Sequence, residues 1–335
     1  MPQFIKLSQP EKNELIIRAS SKLHISPVLV EKDFWVSWLL NKIFQHEISK
    51  DIIFKGGTSL SKCYGIISRF SEDIDLTIDR KIFNNPENEE SLSNKGLQRL
   101  IESNDKHASD FVNQTFKPIL ESIFTLELGE VGWKITPDED EPKNLRFHYP
   151  SGIRTTDDPY VKQSVLIELG VRGEINPHEI KAVISYMEKA FADLLDPETS
   201  DIRTLSPLRT FWEKVTLLHA ENHRPIEKSF GDRLSRHYYD LYQMIKDGVA
   251  DRAISNLSLL YDVIDHKKKY FRAGWAQYET AVPGTLSITP NSYLQGILEK
   301  DYAQMQHMLF DEIPEFHVII ESLQRFEDRI NDVNA

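Results

Sequence analysis

Residues 52–79 read IIFKGGTSLSKCYGIISRFSEDIDLTID, and the punctuation of this stretch decides how the rest of the chain is read. Ile52, Ile53 and Phe54 form a short apolar run that suits a buried strand. Gly56-Gly57-Thr58-Ser59 is expected to turn the chain, with a short helix after it. A second strand is expected to carry Asp73 and Asp75, which stand two residues apart and so project from one face. A turn that opens a helix offers backbone N–H groups and the positive end of the helix dipole, and glycines there let a phosphate approach the backbone. Donors on one side and paired carboxylates on the other suit a single ligand, a polyphosphate carrying a divalent metal.

Each half of the pattern also has a plain explanation. A Gly-Gly-Thr-Ser loop can be a simple strand-to-helix turn, and Asp-x-Asp can be a solvated strand end. Order and spacing add information, because the thirteen residues between Ser59 and Asp73 suffice for one helix and a return to a neighbouring strand. The stretch resembles the nucleotidyltransferase superfamily of DNA polymerase β type, whose motif runs Gly, Gly or Ser, helix, Asp-x-Asp. The match holds if Ser59 is the motif's serine; counted from Gly57 the gap is slightly long.

The 335 residues allow two compact domains, and 40% hydrophobic with 27% charged residues is the composition of a soluble globular protein. No apolar run reaches the length of a membrane span, and the N-terminus has no secretory apolar core, so a cytoplasmic protein without membrane association is expected. Cys63 is the single cysteine, which excludes an internal disulfide and suits a reducing compartment. With 40 basic against 52 acidic side chains the net charge is −12. That excludes a broad electrostatic grip on nucleic acid while leaving room for a local basic groove.

Ahead of the central stretch, periodicity predicts a helix over 11–21 and a strongly apolar one over Pro27–Gln45, opened by Ser26-Pro27. Glu31-Lys32-Asp33 within it reads as a solvated face with an ion pair. Beyond Asp79, residues 84–94 read as a polar loop and 95–120 as helix, with strands at 125–127, 131–135 and 146–149. Pro137–Pro142 (PDEDEP) makes a charged hairpin loop, better suited to solvent than to calcium because prolines flank it and no glycine turns it. Val161–Arg172 is the strongest later strand, and Glu168 shares a face with Leu166 and Gly170. Glu168 reads either as an edge-strand glutamate in water or as a third carboxylate beside Asp73 and Asp75. In the second role it would ligate metal or take the proton of an attacking hydroxyl.

Pro197–Ser206 reads as a linker, and helices follow over 208–222, 232–246, 301–310 and 316–330. Lys214 can be a solvated helix lysine, and Arg236 and Asp240, four apart, can form an ordinary surface ion pair. His219 and His223 are also four apart, but the intervening Glu221 is not adjacent to the first histidine and no third ligand follows, which argues against zinc. The basic aromatic run 266–272 (HKKKYFR) suits either a phosphate backbone or a solvated helix end.

Read together, Glu31–Val36, Lys55–Leu76, Arg209–Lys214, Ser235–Leu241, the Pro283-Gly284-Thr285-Leu286 turn and Asp301-Tyr302 resemble the AbiEii/AbiGii nucleotidyltransferase toxins, the MenT toxins among them. The resemblance implies an α+β fold: a polymerase β-type mixed sheet with helices over 1–200, and a helical domain over 201–335 contributing to the nucleotide cleft. It implies that Gly57, Thr58 and Ser59, with Gly56 beside them, bind the phosphates of an NTP and that Asp73 and Asp75 hold Mg²⁺; it adds little for Glu168, whose part as a third metal ligand rests on the strand reading above. Lys214 would reach the triphosphate, and Arg236 and Asp240 belong to the family's last motif, so that Asp73, Asp75, Lys214 and Asp240 form the catalytic set. The implied activity is Mg-dependent nucleotide transfer to RNA, with the tRNA 3′ end as the favoured acceptor, in a toxin–antitoxin or phage-defence system with a cognate antitoxin. The alternatives are transfer to a protein or to a small molecule such as an aminoglycoside, and a nucleotide-binding module without catalysis.

Overall fold

The computed structural model describes residues 3–83, 89, 92–139, 141–153, 162–231, 233–310 and 312–332. Most of the loop expected over 84–94, together with Val161 and Asp232 at the starts of two expected elements, lies outside the described residues. The chain divides into two units. The first is Met1–Cys63 with Ser71–Leu205, and the second is Tyr64–Phe70 with Ser206–Ala335. A short segment from the middle of the 52–79 stretch thus belongs with the C-terminal helices, although the sequence offers no composition break there.

In the first unit, helices α1 (Gln9–Leu23) and α2 (Pro27–Gln45) precede strand β1 (Ile52–Lys55), helix α3 (Gly56–Lys62) and strand β2 (Ile74–Ile78). Helices α4 (Asn94–Phe111) and α5 (Lys117–Leu128) are joined by a π-helical turn at Val112–Phe116. Strands β3 (Lys134–Pro137), β4 (Leu145–His148), β5 (Val165–Gly170) and β6 (His178–Lys181), helix α6 (Tyr186–Ala190) and strand β7 (Ile202–Leu205) complete it. The seven strands form one mixed sheet in the order β3-β4-β5-β2-β1-β7-β6. β2 runs antiparallel to β1 and parallel to β5, and β1 runs parallel to β7.

The alternation of side chains fixes which face of this sheet is core. Ile52 and Phe54, Ile74, Leu76 and Ile78, Leu145 and Phe147, and Val165, Ile167 and Leu169 are buried and belong to one apolar cluster. α2 and α5 cover it: Trp35 and Trp38 lie 5.9 and 6.1 Å from Phe147, and Phe124 of α5 lies 4.4 Å from it. The opposite face is left with Lys55, Asp75, Thr77, Glu168 and Gly170.

α2 begins where the sequence indicates, with the Ser26 hydroxyl accepting from the Leu29 N–H and Pro27 at the first helical position. Its Glu31-Lys32-Asp33 triplet is not a solvated face. All three side chains are at most 2% exposed, and each is bound to a different element. Glu31 accepts from Ser151 and the Gly152 N–H, Lys32 donates to Glu72 and the Lys162 carbonyl, and Asp33 pairs with Lys62 and accepts from the Tyr186 N–H. A helix buried on every side leaves its charges no solvent to reach, so they are paired internally instead.

Two further expectations are corrected. Thr125–Glu127 is helix, because Leu120 and Phe124 continue the helical spacing into the core while Leu126 points to solvent. The expected linker 197–206 contains β7, whose four residues are too few to register as an alternating run, yet Thr204 is fully buried opposite Phe54.

The second unit is helical: α7 (Pro207–Asn222), α8 (Ser235–Lys246), α9 (Val249–Ile254), α10 (Ser258–Tyr270), α11 (Ser292–Met305) and α12 (Phe316–Asn331). The expected helix over 301–310 is displaced: α11 begins at Ser292, capped by Asn291, whose side chain accepts from the Leu294 N–H, and ends at Met305. Residues 68–70 lie beside 308–310, with Phe70 N donating to the Met308 carbonyl and Phe310 N to that of Ser68. His219 is fully buried, with its two ring nitrogens at 3.1 Å from Gln277 O and from the Ser287 N–H, so both are engaged in hydrogen bonds. Burial holds its pKa down to about 4. Among the described residues no helix is long and apolar enough to cross a membrane.

Candidate active site

The register of β1, β2 and β5 brings three charged side chains abreast. Lys55 is opposite Asp75, and Asp75 is opposite Glu168. Cross-strand partners share a face, so a lysine and two carboxylates line the side of the sheet away from the apolar core. β5 lies between β4 and β2, so Glu168 is not on an edge strand. Asp75, Glu168, Lys55, Lys143, Asn144 and Glu141 line a cleft of about 210 Å³.

Asp75 is set against the start of α3. Gly56 has φ of +80°, and a Cβ built on it would lie 2.0 Å from the Asp75 Oδ2 atom. Glycine is therefore needed there twice, for the backbone angle and for the space the carboxylate fills. No described residue donates a hydrogen bond to that carboxylate.

The Gly-Gly-Thr-Ser segment is not a turn ahead of a helix; it is the first turn of α3, which begins at Gly56. Thr58 and Ser59 are buried, and their hydroxyls bind protein rather than facing the cleft. Thr58 Oγ1 donates to the Asp73 carbonyl at 2.5 Å and lies 2.8 Å from Ser71 Oγ, while Ser59 Oγ donates to the Gly56 carbonyl at 2.8 Å. Thr58 thus ties α3 to the backbone of the first aspartate. Asp73 itself lies one residue ahead of β2, which starts at Ile74.

The chemistry of the donor set fits a hard divalent cation. Mg²⁺ is held by one or two carboxylates together with substrate phosphates, rather than by a complete protein cage. Asp75, Glu141 and Glu168 bring carboxylate oxygens to the cleft, but among the described residues no group of three or more His, Cys, Asp and Glu is arranged to hold a metal ion, so the expected trio Asp73, Asp75 and Glu168 is not gathered into one site. Asp75 lines the cleft, whereas Asp73 is not among the residues lining it.

The second unit contains a separate ionic cluster. Asp240 on α8 is wholly buried and receives Arg69 in bidentate fashion, Nε at 2.7 Å and Nη2 at 2.9 Å. Lys214 on α7 approaches Asp240 Oδ2 at 2.9 Å and His237 Nδ1 at 3.2 Å. Asp240 therefore pairs with Arg69 and Lys214, and Lys214 is a buried lysine rather than a solvated one. Burial alone would raise the Asp240 carboxyl, but the Arg69 guanidinium and the Lys214 ammonium outweigh it and hold it below the usual carboxylate range. Burial lowers Lys214, offset in part by Asp240, and it drives His237 well below the usual imidazole value, with Lys214 and Arg236 adding to the effect. His237 is neutral at pH 7, so the cluster of Arg69, Lys214, Arg236 and Asp240 is net positive.

Arg69 and His237 in the cluster, and Lys55 and Lys143 lining the cleft, are not among the residues expected there from the sequence. Lys55 carries a local signal, being the last residue of the strand that runs into the glycines. Arg69 carries none, because its partner lies 171 residues away.

Residues 38–331 match the family described as nucleotidyl transferase AbiEii toxin of type IV toxin–antitoxin systems, and the chain belongs to that family. No curated protein matches it in sequence. Among solved structures, MenT4, a nucleotidyltransferase toxin from Mycobacterium tuberculosis H37Rv, is similar over 97% of each chain at 16% identity, with a TM-score of 0.42.

Proposed function

We propose that the chain transfers a nucleotidyl group from an NTP to a hydroxyl of RNA, with the tRNA 3′ end as the favoured acceptor, and that the sheet cleft of the first unit carries the reaction. The observation that supports this most is the cross-strand pair Asp75 and Glu168, with Asp75 seated over Gly56. Asp73 and Asp75 are proposed to hold Mg²⁺, with the backbone of Gly56 and Gly57 facing the phosphates. Thr58 and Ser59 serve that segment by fixing its conformation, since their hydroxyls are spent within the protein. Bound there, the ion would neutralise charge that builds on the phosphates.

In the transfer itself the acceptor oxygen forms a bond to the α-phosphorus as the bond to the β-phosphate oxygen breaks. Pyrophosphate leaves with that electron pair, and the hydroxyl proton passes to a carboxylate. Glu168 is proposed for that proton because it lies beside Asp75 in the same cleft. Asp240 is proposed as a positioning residue, because Arg69 and Lys214 engage both of its oxygens. Lys214 and Arg236, members of a net-positive cluster, are proposed to bind phosphate. An antitoxin that neutralises the activity belongs to the same reading.

Incubation with total tRNA, a protein extract or an aminoglycoside, together with each α-labelled NTP and Mg²⁺, tests the proposal. Label entering tRNA, and lost on adding EDTA, is the expected result. Label entering only protein or the antibiotic would transfer the reading to another acceptor class, and no incorporation at all would defeat it.

A further inference from the structure

The cleft is chemically lopsided in a way that bears on the acceptor. At its β1 side stands the start of α3, and at its β5 side stands the tip of the β3–β4 hairpin, which contributes Glu141, Lys143 and Asn144. The tip's described residues are tied down. Asp138 N donates to the Asn144 carbonyl, Asn144 N donates to that of Glu141, and Arg146 pairs with the Asp138 carboxylate. The Asn144 side chain accepts from the Leu169 N–H at 3.1 Å, which fastens the tip to β5 one residue beyond Glu168.

Lys143 at this tip is only loosely engaged. Its Nζ lies 3.9 Å from Asp105 and 3.7 Å from Glu141, outside hydrogen-bond distance, with its side chain 23% exposed. Ion pairs of that length near solvent contribute little and exchange readily for a better anion. In-line displacement sets the attacking and leaving oxygens on opposite sides of the phosphorus. With the leaving pyrophosphate at the α3 end of the cleft, the attacking group comes from the β5 and hairpin end, where Lys143 stands.

We infer that Lys143 binds a phosphate of the acceptor, which makes the acceptor a nucleic acid strand and Lys143 a determinant of acceptor choice. The inference rests on the transfer reading above and extends it to the second substrate. Lys143 gives up its long contacts with Asp105 and Glu141 and takes a backbone phosphate next to the attacking nucleotide. A cationic acceptor such as an aminoglycoside gains nothing from an ammonium at that position.

The test is direct binding, measured on the full chain by fluorescence anisotropy. A fluorescein-labelled single-stranded RNA of twelve nucleotides is titrated at several KCl concentrations, and a fluorescent ATP analogue is titrated separately. Lys143→Ala is expected to weaken RNA binding about fivefold and to flatten the slope of log K against log salt by about 0.7, the value for one lost phosphate contact on a single strand. Affinity for the ATP analogue should stay within about twofold, and Lys143→Arg should restore both RNA affinity and slope. Unchanged RNA affinity and slope in Lys143→Ala would overturn the inference, as would failure of the unmodified protein to bind the RNA. A parallel fall in nucleotide affinity would also overturn it, by assigning Lys143 to the NTP. Asp75→Asn separates the two readings: retained transfer in that variant sinks the transfer site, whereas the Lys143 result is read from binding alone.

Discussion

Asp75 in the first unit and Asp240 in the second are the same chemical group in opposite circumstances. Asp240 is fully buried, and its two oxygens are taken by Arg69 and Lys214. Asp75 lines a cleft, and its Oδ2 fills the space that a Cβ on Gly56 would need. A carboxylate with its lone pairs occupied by fixed cations orients those cations; it has nothing left to offer a proton or a metal. A carboxylate held in place by shape, without described donors, keeps its lone pairs for a ligand. The two acids therefore stand in opposite states, one saturated by fixed cations and the other without a described donor.

The sharpest way to break this contrast is to neutralise the buried partner. Asp240→Asn leaves Arg69 and Lys214 facing each other without their shared anion, and it should cost about 3–5 kcal/mol of stability. Urea unfolding checks this, and a loss below about 1 kcal/mol would mean that the cluster is not held by its carboxylate. The pH dependence has a definite sign. The folded Asp240 carboxyl lies below its unfolded value, so its stabilisation is full above roughly pH 4 and fades as pH falls further. The stability gap between the native chain and Asp240→Asn should accordingly narrow in acid and hold constant between pH 5 and 7, within about 0.5 kcal/mol.

Gly56→Ala addresses the open carboxylate. The new methyl would overlap Asp75 Oδ2 in a residue whose φ of +80° already disfavours a side chain. Displacing a reacting group by about 1 Å costs on the order of a hundredfold in rate, so transfer should fall by that factor while the melting temperature drops only a few degrees. Transfer rates within about threefold of the native chain would show that the Gly56–Asp75 contact does not set the site.

The smallest expected effect concerns the tie between α3 and the first aspartate. Thr58→Val removes the hydroxyl that binds the Asp73 carbonyl and should cost about 1–2 kcal/mol, read by thermal unfolding, with a modest rise in the Mg²⁺ concentration needed for activity. No change in either measurement would separate Thr58 from the placement of Asp73.

The balance between what the sequence discloses and what it conceals follows the same contrast. β1, β2, β5 and the long apolar α2 are legible because burial imposes a period on their side chains; alternation gives the face that carries Glu168, while its place opposite Asp75 is set by the register. Strand β7 escaped notice because four residues hold too little pattern. The conversion of Glu31-Lys32-Asp33 from a presumed surface to paired interior charges depends on Glu72, Lys62 and Gly152, none of them near in sequence. The Asp240 cluster was concealed for the same reason. Its residues are visible on their helices, but Arg69 comes from a segment between α3 and Asp73 that joins the helical unit. Local periodicity reports which face is buried, not which distant charge will be waiting there.

The most direct test of the account is nucleotide transfer by Asp75→Asn, assayed with α-labelled NTP, Mg²⁺ and total tRNA alongside the native chain. Replacing one carboxylate oxygen should lower incorporation by about a thousandfold, the scale of a lost metal contact in the transition state, with the melting temperature unchanged within about two degrees. Incorporation at the native rate by a folded Asp75→Asn protein would contradict the claim that the sheet cleft performs the reaction.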